Sequence, residues 1–285
     1  MTPKLPFLCL LAVACSEYDL GRDKDPNPDG DDTGGVPDTG DPPVDTQDSS
    51  PPEDTWEPPI EETGLPPDAA TEPVYAHTGS TLYSVDPEPP YVRTVIGNFS
   101  AGGPVTDITD IAIDTGGIMY AVSFDTLYRV DASNARLTRV STPGPNDLNA
   151  LTFLADGTLL AGGGAALFEA DPTTGAFSRI SSIGSWSFAG DMVGLPDGLL
   201  YCAMSAGATH GETTLVVYDL ATHAVLRTGA TGTGSLYGMA YAEDTLFGFT
   251  ADGSIYELDA TTGAGRRILT GSEVWWGATT NPVVW

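Results

Sequence analysis

The chain has 285 residues, a formal net charge of −28 and two lysines, Lys4 and Lys24. Nucleic acids and anionic membrane surfaces are bound by clustered lysine and arginine, so this composition excludes both as partners of the protein surface. Acidic residues and prolines crowd the first quarter of the chain, and length therefore overstates the folded part.

Residues 1–15 have the features of an export signal. Lys4 precedes an apolar run from Leu5 to Ala14 that is too short to cross a bilayer as a mature helix. The run ends in Leu-Ala-Val-Ala-Cys at 11–15, which resembles the lipobox of bacterial lipoproteins. The resemblance implies lipidation at Cys15 and, with Ser16 after it, anchoring in the outer membrane of the cell envelope, facing the periplasm or the exterior. An ordinary secretory signal cut near Ala14, or a misassigned start, is the alternative.

Residues 16–73 form a predicted linker. Between 17 and 73 there are 18 acidic residues, twelve prolines and almost no large apolar side chain. Such a segment cannot bury enough apolar surface to offset the loss of chain entropy, so we predict a disordered tether rich in Asp, Pro, Gly and Thr. Contact with the membrane is then expected through the N-terminal lipid alone.

Residues 74–285 contain five copies of a six-residue motif that ends in aspartate. The copies are TLYSVD (81–86), TLYRVD (126–131), ALFEAD (166–171), TLVVYD (214–219) and SIYELD (254–259), and their closing aspartates lie 45, 40, 48 and 40 positions apart. A period near 40 that is built of strand-like pieces is typical of a β-propeller, in which each repeat is one four-stranded blade. The second repeat, for example, divides into strands at 110–114, 118–123, 126–131 and 136–141.

The two ends of this region complement each other. The first repeat starts at Val74 with a segment that corresponds to the second strand of a blade. Residues 275–282 resemble an innermost strand that has no blade of its own. We therefore predict an all-β, five-bladed β-propeller of four-stranded antiparallel blades, in which the N- and C-terminal strands complete one blade together. Six blades are the alternative, with a degenerate blade in 99–107.

Two sequence segments resemble the quinoprotein-like, YVTN and NHL propellers of bacterial secreted proteins. They are ITDIAIDTGGIMYAVSFDTLYRVD and FEADPTTGAFSRI. The resemblance covers residues 74–285 and implies the fold. It does not fix the function, because that superfamily includes lactonases, dehydrogenases, lyases and proteins that only bind.

Connections on one face of the predicted propeller collect aromatic residues. Flat apolar rings beside amides and carboxylates suit the C–H faces and hydroxyl groups of a sugar. The alternative is that the tryptophans wedge between blades as part of the core. The predicted ligand-binding residues are Trp186, Phe188, Tyr237, Trp275, Trp276 and the loop histidine His210.

Alignment of the repeats places Asp110, Asn149 and Asp191 at one level of the central channel, together with Gly238 and Gly277. Several carboxylate and amide oxygens in one place suit a hard cation, so a calcium site is one interpretation. The resemblance to lactonase-like propellers implies the same, because those place a divalent metal in the channel. The alternative is that these residues cap strand ends or hold channel water.

Catalytic signatures are otherwise missing from the sequence, which has no G-x-S-x-G elbow and no Cys or His spacing typical of zinc or haem. The sequence thus favours a monomeric, lipid-anchored binding module for a glycan or a peptide, without cofactor and without catalysis. Two alternatives stay open. One is a metal-dependent hydrolase or lyase acting around the three channel residues, and the other is a scaffold that docks an envelope protein.

Overall fold

The computed structural model describes residues 73–140, 144–206 and 212–282. The signal peptide, lipidation at Cys15 and the linker up to residue 72 lie outside the described residues and stay predictions. Across the described ranges, no helix has the length and hydropathy needed to cross a membrane.

The described residues form five antiparallel sheets of four strands, and each sheet is one blade. Blade 1 contains β20 (Gly277–Thr279), β1 (Val74–His77), β2 (Thr81–Val85) and β3 (Arg93–Asn98). Blade 2 contains β4 (Asp110–Ile113), β5 (Met119–Val122), β6 (Leu127–Asp131) and β7 (Arg136–Arg139). Blade 3 contains β8 (Leu148–Phe153), β9 (Leu159–Gly163), β10 (Ala166–Ala170) and β11 (Phe177–Ser182). Blade 4 contains β12 (Trp186–Gly194), β13 (Leu200–Ala206), β14 (Glu212–Asp219) and β15 (Ala224–Gly234). Blade 5 contains β16 (Leu236–Ala242), β17 (Thr245–Thr250), β18 (Ser254–Leu258) and β19 (Gly265–Thr270).

The innermost strand of each blade contacts the innermost strand of the next blade. The five innermost strands, β20, β4, β8, β12 and β16, therefore surround the axis as a closed ring.

The predicted five-bladed fold is confirmed, and so is the shared first blade. β20 pairs antiparallel with β1, with Ala278 opposite Ala76 and Gly277 opposite His77. The C-terminal strand thereby covers an edge of the N-terminal sheet that solvent would otherwise reach. The alternative sixth blade is not formed, because residues 99–107, all of them described, contain isolated bridges at Ser100 and no strand.

The aspartate that ends each repeat caps a hairpin. Oδ1 of Asp171 accepts a hydrogen bond from the backbone N–H of Thr173 at 2.8 Å, and its Oδ2 accepts one from the Thr174 hydroxyl at 2.6 Å. These bonds lower the pKa of Asp171 and hold the turn between the third and fourth strands, which explains why the residue recurs. An equivalent hydrogen bond, from the backbone N–H two residues later in the chain to the aspartate Oδ1, occurs at Asp86, Asp131, Asp219 and Asp259.

Trp275 closes the joint between the last blade and the first. Its side chain is 0% exposed, and its ring meets Tyr83 of blade 1 edge-to-face at 5.2 Å and Phe249 of blade 5 at 5.7 Å between ring centroids. The prediction that Trp275 contacts a ligand is therefore wrong. A large aromatic ring is needed as a wedge where the two ends of the chain meet.

Replacing this wedge should loosen the ring. We expect Trp275→Ala to lower the free energy of unfolding by about 3–5 kcal/mol, the usual cost of truncating a fully buried tryptophan. Urea unfolding followed by fluorescence or circular dichroism measures the change. The adjacent Val274 is 51% exposed, so Val274→Ala is the matched control and should cost less than about 0.5 kcal/mol. Equal costs for the two variants would contradict the closing role of Trp275.

Candidate functional site

A pocket of 280 Å³ lies at one end of the propeller axis, and we call it the axial pocket. Its volume lies just below the range of about 300–1,000 Å³ in which drug-sized ligands bind, so it suits one small chemical group. Every blade contributes to its wall. The lining residues are Trp276 from blade 1, Thr109 and Phe124 from blade 2, Asn149 from blade 3, Phe188, Ala189 and Gly190 from blade 4, and Tyr237 from blade 5.

Bulges in three innermost strands direct residues into the axial pocket. The pairing of β8 with β9 skips Asn149 in blade 3, and the pairing of β16 with β17 skips Tyr237 in blade 5. In blade 4 the pairing of β12 with β13 is interrupted over residues 189–191. Bulges re-aim side chains and are frequent beside functional sites. The same three blades that break the regular pairing thus supply most of the pocket wall.

Four aromatic residues contribute to the apolar part of the wall: Phe124, Phe188, Tyr237 and Trp276. Phe188 is almost buried, whereas Phe124 is 47% exposed at the mouth. The indole of Trp276 lies against Gly79 in the turn between β1 and β2, where an added Cβ would come within 3.4 Å of the ring. A partly exposed aromatic cluster in a concave site is typical of a surface that a ligand covers.

The polar part of the wall is small and uncharged. The side-chain amide of Asn149 donates from Nδ2 to the backbone carbonyl of Phe188 at 3.1 Å, and this bond fixes the orientation of the amide. Oδ1 of Asn149 is buried and accepts no hydrogen bond from the described part of the protein. The hydroxyl of Thr109 already donates to the carbonyls of Val122 and Leu148. No charged side chain is among the described residues that line the pocket.

The next level of the channel holds two buried carboxyl groups, Asp110 and Asp191, each 0% exposed. Both oxygens of Asp110 accept backbone amides, from Ile111 at 2.9 Å and from Leu151 of the neighbouring blade at 2.7 Å. Asp191 accepts amides from Met192 at 2.6 Å, from Met239 at 2.7 Å and from Ala278 at 3.3 Å. The pair therefore bonds to the innermost strands of all five blades.

Burial favours the protonated form of both carboxyl groups. Burial raises the pKa of Asp110 well above its usual range, and the nearby charge of Asp191 and the hydrogen bond to it act in the same direction. Burial also raises the pKa of Asp191 to about 8, although the hydrogen bond from Asp110 and the three amides oppose this.

His77 lies beside this pair and is neutral. Its side chain is fully buried, and burial lowers its pKa to about 4, opposed by the bond between Nδ1 and the carbonyl of Thr78. A Cβ added to Gly277 would collide with both Nε2 of His77 and Oδ1 of Asp110. The channel at this level thus has no room for a side chain on β20, which explains the glycine there.

The channel residues do not fit a calcium ion. Calcium takes about six to eight oxygen ligands that are free to approach it, whereas all four carboxyl oxygens here accept backbone amides. Asn149 lines the axial pocket, one level away from the two carboxyl groups. No group of three or more His, Cys, Asp or Glu side chains in the described residues is arranged to hold a metal. The geometry matches strand capping, the alternative named above for Asp110 and Asp191.

Of the predicted ligand-binding residues, Phe188, Tyr237 and Trp276 line the axial pocket. Trp186 does not, since it lies at the start of β12 opposite Ala206 and packs partly buried against the core of blade 4. His210 lies outside the described residues. Thr109 was missed. The sequence places Phe124 in a connection of the same predicted face, but Phe124 was not among the predicted ligand-binding residues.

Larger depressions elsewhere have a different chemistry. A groove of 670 Å³ between blades 4 and 5, on the face opposite the axial pocket, is lined by Asp197, Tyr201 and Glu257 among others. Tyr201 donates to Asp197 at 2.8 Å and accepts from Arg227 at 2.7 Å. Because these polar groups bond one another, the groove offers a ligand less than the axial pocket does with its aromatic side chains.

No protein-family model matches the chain, and no curated protein matches it. A chain in the crystal structure of a nidogen/laminin complex superposes with 12% identity and a TM-score of 0.49, covering 74% of this chain and 98% of that chain. A protein of unknown function from Bacteroides caccae superposes with 10% identity and a TM-score of 0.43, covering 70% of this chain and 73% of that one. Neither likeness carries information about ligand or partner.

The raised pKa values of this pair predict an unusual dependence of stability on pH. Above pH 6.5 the unfolded chain has lost its Asp and His77 protons, whereas Asp191 in the folded protein still holds its proton up to about pH 8. Stability contributed by a raised pKa is lost as pH rises through the folded value, so the free energy of unfolding should fall by about 1–2 kcal/mol between pH 6.5 and 8. Urea unfolding at a series of pH values measures this slope.

Two variants separate the pair from other acids. Asp191→Asn removes one of the two coupled groups and should reduce the slope, while Asp171→Asn, on an exposed hairpin with a lowered pKa, should leave it unchanged. The hairpin aspartates lose their contribution only near pH 4 and below, outside this window. A wild-type profile that is flat or rises between pH 6.5 and 8 would show that the pair holds no proton.

Proposed function

We propose that this protein is a recognition module of the cell envelope, and that its axial pocket binds one small end group or substituent carried by a glycan or a peptide. The observation that carries the proposal is a concave wall assembled from all five blades, with four aromatic residues and no charged side chain among the described residues that line it. Aromatic side chains of this kind pack on the C–H groups of a ligand.

Binding without covalent chemistry is the activity that these residues favour. The acidic groups nearest to the pocket, Asp110 and Asp191, are fully buried and use their oxygens to accept backbone amides. The nearby His77 is buried and has a pKa of about 4, so it is a weak base. A general acid or base must reach the bound group directly or through one water. The described pocket wall itself contains no titratable group except the phenol of Tyr237.

A lipid at Cys15 would hold this module at the membrane. The support is the Leu-Ala-Val-Ala-Cys sequence at 11–15, followed by an acidic, proline-rich segment up to residue 73. If that segment behaves as a flexible coil, it reaches on the order of 40 Å or more. The propeller, as a monomer, would then sample ligands at some distance from the bilayer, in the periplasm or outside the cell.

The binding test uses two tryptophans on the same face. Trp276 lines the axial pocket and Trp186 does not, so Trp276→Ala should weaken ligand binding at least about tenfold, while Trp186→Ala leaves it unchanged. Thermal melts of the full chain against neutral saccharides and short peptides find the ligand, because a compound that binds the native state raises the midpoint. Calorimetric titration then measures the two variants. Equal losses in both, or no ligand at all, would contradict the proposal.

The anchor is tested separately in a bacterial host. Cys15→Ser should abolish incorporation of a labelled fatty acid and release the protein from the membrane fraction, because the thiol that carries the lipid is gone. Cys9→Ser is the matched control, since Cys9 lies inside the apolar run of the signal and should leave labelling intact. Labelling that survives in Cys15→Ser would rule out lipidation at this residue.

A further inference from the structure

The face that bears the axial pocket is acidic, which limits the charge of any ligand. The described connections on this face contain five acidic residues and no Lys or Arg, and the arginines of the described residues all lie on strands. Glu273 is paired with Arg93 at 2.6 Å. The four other acids of this face are Asp107, Asp125, Asp147 and Asp252.

Three of these carboxylates border the pocket wall along the chain. Asp125 follows Phe124, Asp107 precedes Thr109 by two residues, and Asp147 precedes Asn149 by two. Charges of one sign around a concave site raise the local concentration of the opposite charge and repel ligands of the same charge. Anionic groups such as phosphates, sulfates and uronic acids are therefore disfavoured at this mouth.

The pocket wall offers aromatic faces and few hydrogen-bonding groups. A sugar hydroxyl that enters such a pocket loses hydration and is not fully compensated, since the Thr109 hydroxyl is already engaged and Oδ1 of Asn149 is itself buried. An alkylated ammonium group has no such requirement, because its methyl groups carry the positive charge and need no acceptor. Aromatic rings attract this charge through their negative faces.

From this geometry we infer that the axial pocket binds an alkylated ammonium group, held among Phe124, Phe188, Tyr237 and Trp276. The group is attracted by Asp107, Asp125 and Asp147, which we call the acidic rim. The inference rests on the proposed function and specifies the chemical class of the group that the pocket takes. A volume of 280 Å³ is enough for a trimethylammonium head with part of its stem and too little for a large ligand.

The test is calorimetric titration of the full chain with choline and with the uncharged isostere in which carbon replaces the quaternary nitrogen. Choline should bind at least about tenfold more tightly than the isostere, because only the cation gains from the rings and the rim. Added salt should weaken choline binding and leave the isostere unaffected. Equal affinity for the two compounds, or no binding of choline, would overturn the inference.

Variants on the two faces separate the contributions of the rings and the rim. Trp276→Phe keeps an aromatic face and should retain most of the affinity for choline, whereas Trp276→Ala should lose at least about tenfold. Asp107→Asn on the rim should weaken binding about twofold, and Asp156→Asn, the same charge change on the opposite face, should not. Melting of each variant without ligand confirms that it is folded.

The result also separates this inference from the proposed function. If a neutral sugar or peptide binds in a manner that depends on Trp276 while choline does not bind, the inference falls and the proposed function stands. If choline, saccharides and peptides all fail to bind, both fall. If choline binds but Trp276→Ala binds it equally well, the cation is held elsewhere and the inference is again overturned.

Discussion

The buried carboxyl pair of Asp110 and Asp191 is the constraint on which the rest of the structure depends. Five innermost strands must converge on one axis, and their bulged backbone leaves amide groups there without a ladder partner. The two carboxyl groups accept amides from the strands of all five blades and bond to each other. Two negative charges side by side in a buried channel would cost several kcal/mol, so burial favours the protonated form instead.

The same constraint shapes the pocket above it. Where the carboxyl groups fill the channel, β16 and β20 approach so closely that a Cβ on Gly238 would come within 2.7 Å of the backbone of Gly277. One residue earlier in the chain are Tyr237, on β16, and Trp276, directly before β20. The narrow part of the channel at Gly238 and Gly277 forms the floor of the axial pocket. The wider part at Tyr237 and Trp276 forms its aromatic wall. Ligand recognition and ring closure are thus properties of successive residues on the same strands.

Much of the fold could be predicted because the relevant signals are local. The aspartate of each repeat caps its own hairpin through bonds to residues two and three positions on, as Asp171 does with Thr173 and Thr174. A local bond of this kind leaves a fixed spacing that can be counted. The site was predicted only in part. Trp275 and Trp276 are neighbours in one connection, yet one is 0% exposed between two blades and the other lines the pocket.

The sequence by itself determined the all-β class, the five blades and the blade shared by the two ends, because strand alternation and hairpin chemistry act over a few residues. Only the tertiary structure decided which aromatic rings meet, that Phe124 joins them, and that Asp110 and Asp191 bond to each other instead of presenting oxygens to a metal. These contacts join residues from different blades, about 40 to 150 positions apart in the chain. Their geometry depends on strand bulges and on the radius of the ring, and neither leaves a periodic trace in the order of the amino acids.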